Sequence, residues 1–103
     1  MRKQLTNNQI YNLYNTLNTL AVDYKKIYIP VKEGLKLVKN INYLTSYYWE
    51  LENQRQILSQ NNQYEELEKL GQEIKEYDLE MVDLNNLKLP LHLIIGLSPL
   101  LRG

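Results

Sequence analysis

The chain contains no cysteine and no phenylalanine, and only one histidine, one tryptophan and one alanine among its 103 residues. Without cysteine there is no disulfide scaffold, no thiolate nucleophile and no sulfur-ligated zinc. The single histidine, His92, rules out paired imidazole ligands, and it sits in an apolar segment beside Pro90. The four glycines form neither a phosphate loop nor a G-x-G-x-x-G turn. Twelve basic and twelve acidic side chains cancel, so the basic excess of a dedicated nucleic-acid binder is missing and direct nucleic-acid binding is not expected. No apolar run reaches the roughly 20 residues that span a bilayer. The nearest, residues 87–101, is interrupted by Pro90, His92, Gly96 and Pro99, so no membrane segment is expected. Met1-Arg2-Lys3 is followed by polar Gln4, Thr6, Asn7, Asn8 and Gln9 rather than by the apolar core of a signal peptide.

What is present is ordinary in bulk and skewed in detail. The hydrophobic share is 44% and the charged share 23%, values that place the chain among globular rather than disordered sequences. At this length a single domain, residues 1–103, is expected, burying roughly 65% of the surface its unfolded form exposes. Leucine (20), asparagine (12), tyrosine (9) and isoleucine (8) dominate.

Periodicity predicts a mostly α fold. A first helix begins near Thr6, where Thr6 and Gln9 have capping-box spacing. Ile10, Leu13, Tyr14, Leu17, Leu20 and Ala21 share one of its faces. Residues 22–30 fit either a strand or the start of the next helix, with Pro30 as a first-turn proline or a kink. The second helix is predicted over about residues 31–59. Leu37, Ile41, Leu44, Tyr48, Leu51 and Leu58 alternate by four and three, and Val31, Leu35 and Val38 form a second stripe beside them. So wide an apolar face implies more than one neighbour. Gln60-Asn61-Asn62-Gln63 predicts a reversal, with Asn62 and Glu65 at cap spacing. A third helix should then carry Tyr64, Leu67, Leu70, Ile74, Tyr77 and Met81 inward. After Asn85-Asn86, the leucine-rich end alternates like a strand but is broken by prolines. It predicts a short extended piece followed by one or two single-turn helices. The expected architecture is an antiparallel helical hairpin, an additional N-terminal helix across it, and a short C-terminal extended/helical apolar tail clamping one end.

Charge is partitioned along the chain. Residues 1–49 carry seven bases and two acids, and residues 50–103 carry five bases and ten acids. One reading is that the basic and acidic helices lie side by side with complementary rims. The other is two separate patches for a partner.

Site chemistry is sparse. Ser46, Ser59 and Ser98 lie outside any nucleophile-elbow pattern. The carboxylate pairs Glu50/Glu52, Glu65/Glu66/Glu68, Glu73/Glu76 and Asp78/Glu80 lack the Glu-x-x-His companion of metal-binding bundles. No catalytic residue, metal ligand or cofactor is therefore assigned, and the chain is not expected to be an enzyme. Tyr43, Tyr47, Tyr48 and Trp49 are a different matter, because aromatics with a polar tip are favoured at protein interfaces. Tyr48 lies on the core stripe, whereas Tyr43 and Trp49 should point elsewhere. The candidate interface consists of Tyr43, Tyr47 and Trp49, the acidic Glu65, Glu66, Glu73 and Glu76, and the tail residues Leu91, Ile94 and Leu97.

The sequence resembles a family of small phage-encoded helical proteins of unknown function. The resemblance lies in residues 8–17 (Asn-Gln-Ile-Tyr-Asn-Leu-Tyr-Asn-Thr-Leu), in the acidic stretch from Glu73 to Asp83, in Leu87-Lys88-Leu89-Pro90 and in the ending Leu97-Ser98-Pro99-Leu100-Leu101. The 60–63 loop is shorter than that pattern, and Lys25-Lys26 match it only loosely. The resemblance implies a phage or prophage origin and supplies no catalytic residue. The expectation is a non-enzymatic protein–protein interaction module, a component of the virion or of its assembly, acting on a protein partner or on itself as a homo-oligomer. It would reside in the host cytoplasm or the virion. The alternative is an inhibitor of a host defence protein, whose acidic face imitates nucleic acid.

Overall fold

The computed structural model describes residues 2–22, 29–84 and 89–101. Its elements are strand β1 (Arg2–Thr6), helices α1 (Asn7–Val22), α2 (Val31–Gln60) and α3 (Tyr64–Gln72), strand β2 (Ile74–Asp78), and helix α4 (Leu91–Leu97) followed by a 3₁₀ turn (Ser98–Leu100). The fold is mostly α. An α2–α3 hairpin is crossed by α1, and α4 packs on α1.

Local chemistry accounts for most of the helix boundaries. The capping box forms at α1: the Gln9 N–H donates to Thr6 Oγ1 at 3.1 Å, and the Thr6 N–H donates to Gln9 Oε1 at 2.8 Å. Two of the donors that a helix start leaves unpaired are thereby satisfied. Proline opens both α2 and α4. Pro30 and Pro90 sit just before the first turn in an extended conformation. Their carbonyls accept the Gly34 N–H at 2.9 Å and the Leu93 N–H at 3.0 Å. The question of strand or helix over residues 22–30 falls mostly on 23–28, which lie outside the described residues.

The reversal after α2 is made by Asn62, whose φ of 57° is left-handed, a conformation asparagine tolerates better than most residues. The expected Asn62–Glu65 cap does not form, since α3 starts without a side-chain cap. Asn62 Oδ1 instead accepts the Tyr64 hydroxyl at 3.1 Å.

Two elements differ from the sequence reading. Residues 2–6 form β1, and the predicted third helix stops at Gln72, giving way to β2. The two strands pair antiparallel, Arg2 opposite Asp78 and Thr6 opposite Ile74. The Asn7 N–H extends the ladder to the Glu73 carbonyl at 3.0 Å, and Asn7 Nδ2 holds the Leu70 carbonyl at 2.7 Å. The competing signal is the alternation Tyr77-Asp78-Leu79-Glu80-Met81. It buries Tyr77 and Leu79 while Asp78 and Glu80 face outward, the period of a strand rather than a helix.

The chain beyond β2 stays extended because α2 replaces a strand partner. The Asp78 N–H donates to the Tyr43 hydroxyl at 3.1 Å, and the Asp83 N–H donates to Glu33 Oε2 at 3.0 Å. Asn40 clips Glu80 on both sides: its Nδ2 donates to the Glu80 carbonyl and its Oδ1 accepts the Glu80 N–H, each at 2.9 Å. Glu33 and Asn40 are the buried polar residues of α2. Their burial is offset because each satisfies backbone groups that would otherwise go unpaired.

The core lies between α1, α2, the 77–84 segment and the tail. Leu13, Leu44, Val82, Leu97 and Leu100 are fully buried within it. The tail is tied in through the Val82 N–H, which donates to the Leu100 carbonyl at 2.8 Å, and through Lys3 Nζ on the Pro99 carbonyl at 2.6 Å. Gly96 lets α4 approach α1, because a β-carbon there would collide with Thr16.

Candidate protein interface

The 30-residue helix α2 organises the surface. At 100° per residue its side chains divide into three sectors. The inner sector holds Leu37, Leu44 and Leu51, all buried, with Ile41, Tyr48 and Leu58 half-buried beside them.

Aromatic seams flank this sector on both sides. Toward α1, Tyr48 stacks on Tyr14 (centroids 4.3 Å apart, planes at 21°) and on Tyr11 (5.2 Å, 27°). Thr45 spends its single hydroxyl proton on the Ile41 carbonyl at 2.7 Å, so the Tyr14 hydroxyl donates to Thr45 Oγ1 at 3.1 Å. The Arg55 guanidinium lies 4.0 Å over the Tyr11 ring, a cation–π contact. Toward β2, Tyr47 meets Tyr77 edge-on at 5.3 Å and Tyr43 at 5.4 Å. Burial pushes the Tyr48 and Tyr77 phenols above their ordinary value, and hydrogen bonding with Tyr43 does the same for Tyr47. The three phenols therefore stay neutral across the physiological range.

The outer sector carries Val31, Leu35, Val38 and Trp49, exposed by 76, 63, 52 and 56%. The stripe Val31–Leu35–Val38, which had implied a second neighbour, is exposed and packs on no other element among the described residues. Single exposed leucines are ordinary, but successive apolar side chains on one exposed helix face are the mark of an interaction surface.

The ten candidate interface residues are spread over α2, α3 and its C-terminal cap Glu73, the middle of β2, and α4. Tyr43 is half-buried and its hydroxyl is engaged by Asp78, so it belongs to the β2 seam. Tyr47 shares that seam but remains 40% exposed. Trp49 stands on the outer face, touching Tyr48 edge-on at 5.4 Å. Glu65 and Glu66 are exposed in the first turn of α3, and Glu66 pairs with Lys69 at 3.8 Å. Glu73 pairs with Lys75 at 3.9 Å and Glu76 with Arg2 at 3.6 Å. Leu91 and Ile94 are exposed on α4, whereas Leu97 is fully buried. Leu97 is thus a core residue and not an interface residue, because α4 turns its Leu93–Leu97 edge onto α1. Exposed Ile95, on the opposite side of α4, was not singled out in the sequence. It belongs to the alternation that made the tail look like a strand, yet it is exposed while Leu93 and Leu97 are buried, as helical spacing requires.

The two halves of the charge partition meet in part. Arg2–Glu76 and Lys39–Glu80 join the basic and acidic halves, at 3.6 and 3.7 Å, while the remaining pairs are local. Such exposed pairs contribute little stability. Glu50, Glu65 and Glu68 form no ion pair among the described residues.

A cleft of about 410 Å³ runs between the polar side of α1 and α4, lined by Asn12, Asn15, Thr16, His92 and Ser98 among others. There is no carboxylate beside His92 to make an acid–base pair among the described residues that line it. Among the described residues no group of three or more histidine, aspartate or glutamate side chains converges on one point. None of the helices there is long and apolar enough to cross a membrane. No family model matches the chain, and no curated protein or solved structure matches it either.

Proposed function

We propose that this chain is a non-enzymatic protein–protein interaction module that works through the outer face of α2, as a component of a phage virion or of its assembly. The observation that carries the reading is the exposed stripe Val31–Leu35–Val38 with Trp49 further along the same face. Water-exposed apolar side chains in helical register gain free energy when a second surface covers them. The phage setting comes from the sequence resemblance alone.

The competing reading, an acidic face that imitates nucleic acid, draws less support. Glu66, Glu73, Glu76 and Glu80 are each within ion-pair distance of a lysine or arginine of the chain itself.

The test is a photo-activatable side chain placed at Val38 and illuminated during infection. An adduct with a head or tail protein, or with a second copy in assembling particles, is the expected result. An adduct with a host enzyme would move the inhibitor reading ahead. The absence of any protein adduct, with the chain folded and present, overturns the interaction reading.

A further inference from the structure

The outer face of α2 is complementary to itself when two copies run in opposite directions. Val31 and Trp49 are 18 residues apart, five whole turns, so they share one azimuth about 27 Å apart along the axis. Leu35 and Val38 fall within about 40° of that line. Exposed Asn42 and Ser46 lie between the apolar half and the tryptophan. The flank of this face is polarised: Lys32 and Lys39 stand in the first half and Glu50 in the second, all exposed, with Lys39 also 3.7 Å from Glu80 of its own chain. Glu50 forms no ion pair among the described residues.

From this we infer that the protein forms a two-fold dimer through antiparallel contact of its α2 helices, with the axis passing near residue 44. This inference rests on the interaction reading above and names the occupant of the face as a second copy. In that register Trp49 covers Val38 of the partner subunit. Glu50 comes opposite Lys39 of the partner subunit, and Asn42 comes opposite Ser46 of the partner subunit. A parallel two-fold arrangement would leave this flank of one copy on the opposite side of the contact from the same flank of the other, pairing neither charge, so the charges select the antiparallel one. The contact is isologous, as a closed two-fold dimer requires.

The sole tryptophan reports on this contact directly. Light scattering and Trp49 emission are measured on the same samples of the full chain over a concentration series. The expected mass rises toward twice the 12.3 kDa of the chain, while the emission shifts to the blue. Leu35→Asp, on a side chain 63% exposed, keeps the circular dichroism and, at concentrations where wild type is monomeric, the melting temperature. It weakens association by about tenfold or more, because a charged carboxylate must give up its water inside the contact. Because the chain lacks cysteine, the double variant Asn42→Cys/Ser46→Cys should oxidise to a covalent dimer, and Gln54→Cys on another sector should not. A monomer at every concentration with red emission overturns the dimer and leaves the face to a foreign protein. A monomer with blue emission shows the face covered by its own chain, which overturns both the dimer and the interaction reading. A dimer indifferent to Leu35→Asp overturns the assigned face, and a dimer that fails to cross-link at 42 and 46 overturns the antiparallel register.

Discussion

The two faces of α2 carry similar side chains with opposite fates. Leu44 is fully buried and Leu35 is 63% exposed; Asn40 is 2% exposed, while Asn42, two residues on, faces water. Residue type does not separate these pairs. The other elements do, by supplying partners on one side among the described residues: tyrosines from α1 and β2, and the backbone of residues 78–83. A helix apolar on two faces is thus half core and half surface in this fold. Which half is which follows from where the extended segment after β2 docks.

The strongest way to break this comparison is to place the same charge on each face. Leu44→Asp buries an unpaired carboxylate among leucines and should cost about 4 kcal/mol or more, close to the whole stability of a small domain. Loss of the cooperative melt at neutral pH is the expected result. Leu35→Asp should change monomer stability by no more than about 0.5 kcal/mol, as an exposed substitution does. If both variants melt alike, the helix is rotated from the arrangement described.

A second pair sharpens the contrast for asparagine. Asn40→Leu strips both the Glu80 N–H and the Glu80 carbonyl of their partners at a part-buried site, where Asn40 itself is 2% exposed. Urea titration should show a loss of about 2–3 kcal/mol. Asn42→Leu should be neutral in the same titration, and it should tighten any association through the outer face.

How much of this was legible beforehand depends on the range of the signal. The ends of α2, the Thr6–Gln9 box and the turn at Asn61-Asn62 are local, written in neighbouring side chains, and the sequence showed them. The strand pair was not legible as such. Arg2–Thr6 offers one buried residue, Leu5, and its partner lies some 70 positions away. The leucine and tyrosine spacing in residues 64–81 fits a helix well enough to hide the two-residue alternation at Tyr77 and Leu79. The buried asparagine and glutamate of α2 drew no notice in the sequence because their partners are backbone groups, which no side-chain pattern announces. At the candidate interface, Trp49 and the second stripe were visible as a surplus. Leu97 was misplaced because the tail's alternation could not say which edge of α4 would meet α1.

Glycine gives a smaller and oppositely signed pair. Gly34 on α2 has nothing within 4 Å of where a β-carbon would stand, whereas at Gly96 the Thr16 side chain fills that space. Gly34→Ala should stabilise by about 0.5–1 kcal/mol by removing unfolded-state freedom and improving helix propensity. Gly96→Ala should destabilise by about 1–2 kcal/mol through overpacking. In a domain of this size these appear as opposite shifts in melting temperature of about 4–8 °C per kcal/mol. Adding Thr16→Ala to Gly96→Ala should recover part of the loss, since only the β-carbon of residue 16 would still be in the way.

The finest test concerns the buried acid of α2. The Asp83 N–H donated to Glu33 lowers the Glu33 carboxyl below its ordinary 4.5, and the nearby Lys36 ammonium adds to this. A carboxyl whose pKa is lower in the folded chain than in the unfolded one stabilises the fold above the unfolded value. That contribution is lost as pH falls through the folded value. Glu33→Gln keeps an acceptor for the Asp83 N–H but removes the charge. Wild type should therefore melt above Glu33→Gln by a constant margin at pH 5 and higher. The margin should shrink as pH is lowered below about 4.5 and close once both states are protonated. Melting curves of the two proteins from pH 3 to 7 decide it. A margin that persists unchanged to pH 3 would mean that the ionised carboxylate does not hold the 78–83 segment against α2. Asn40 and Tyr43 would then be the α2 side chains whose hydrogen bonds carry the docking that distinguishes the inner face from the outer.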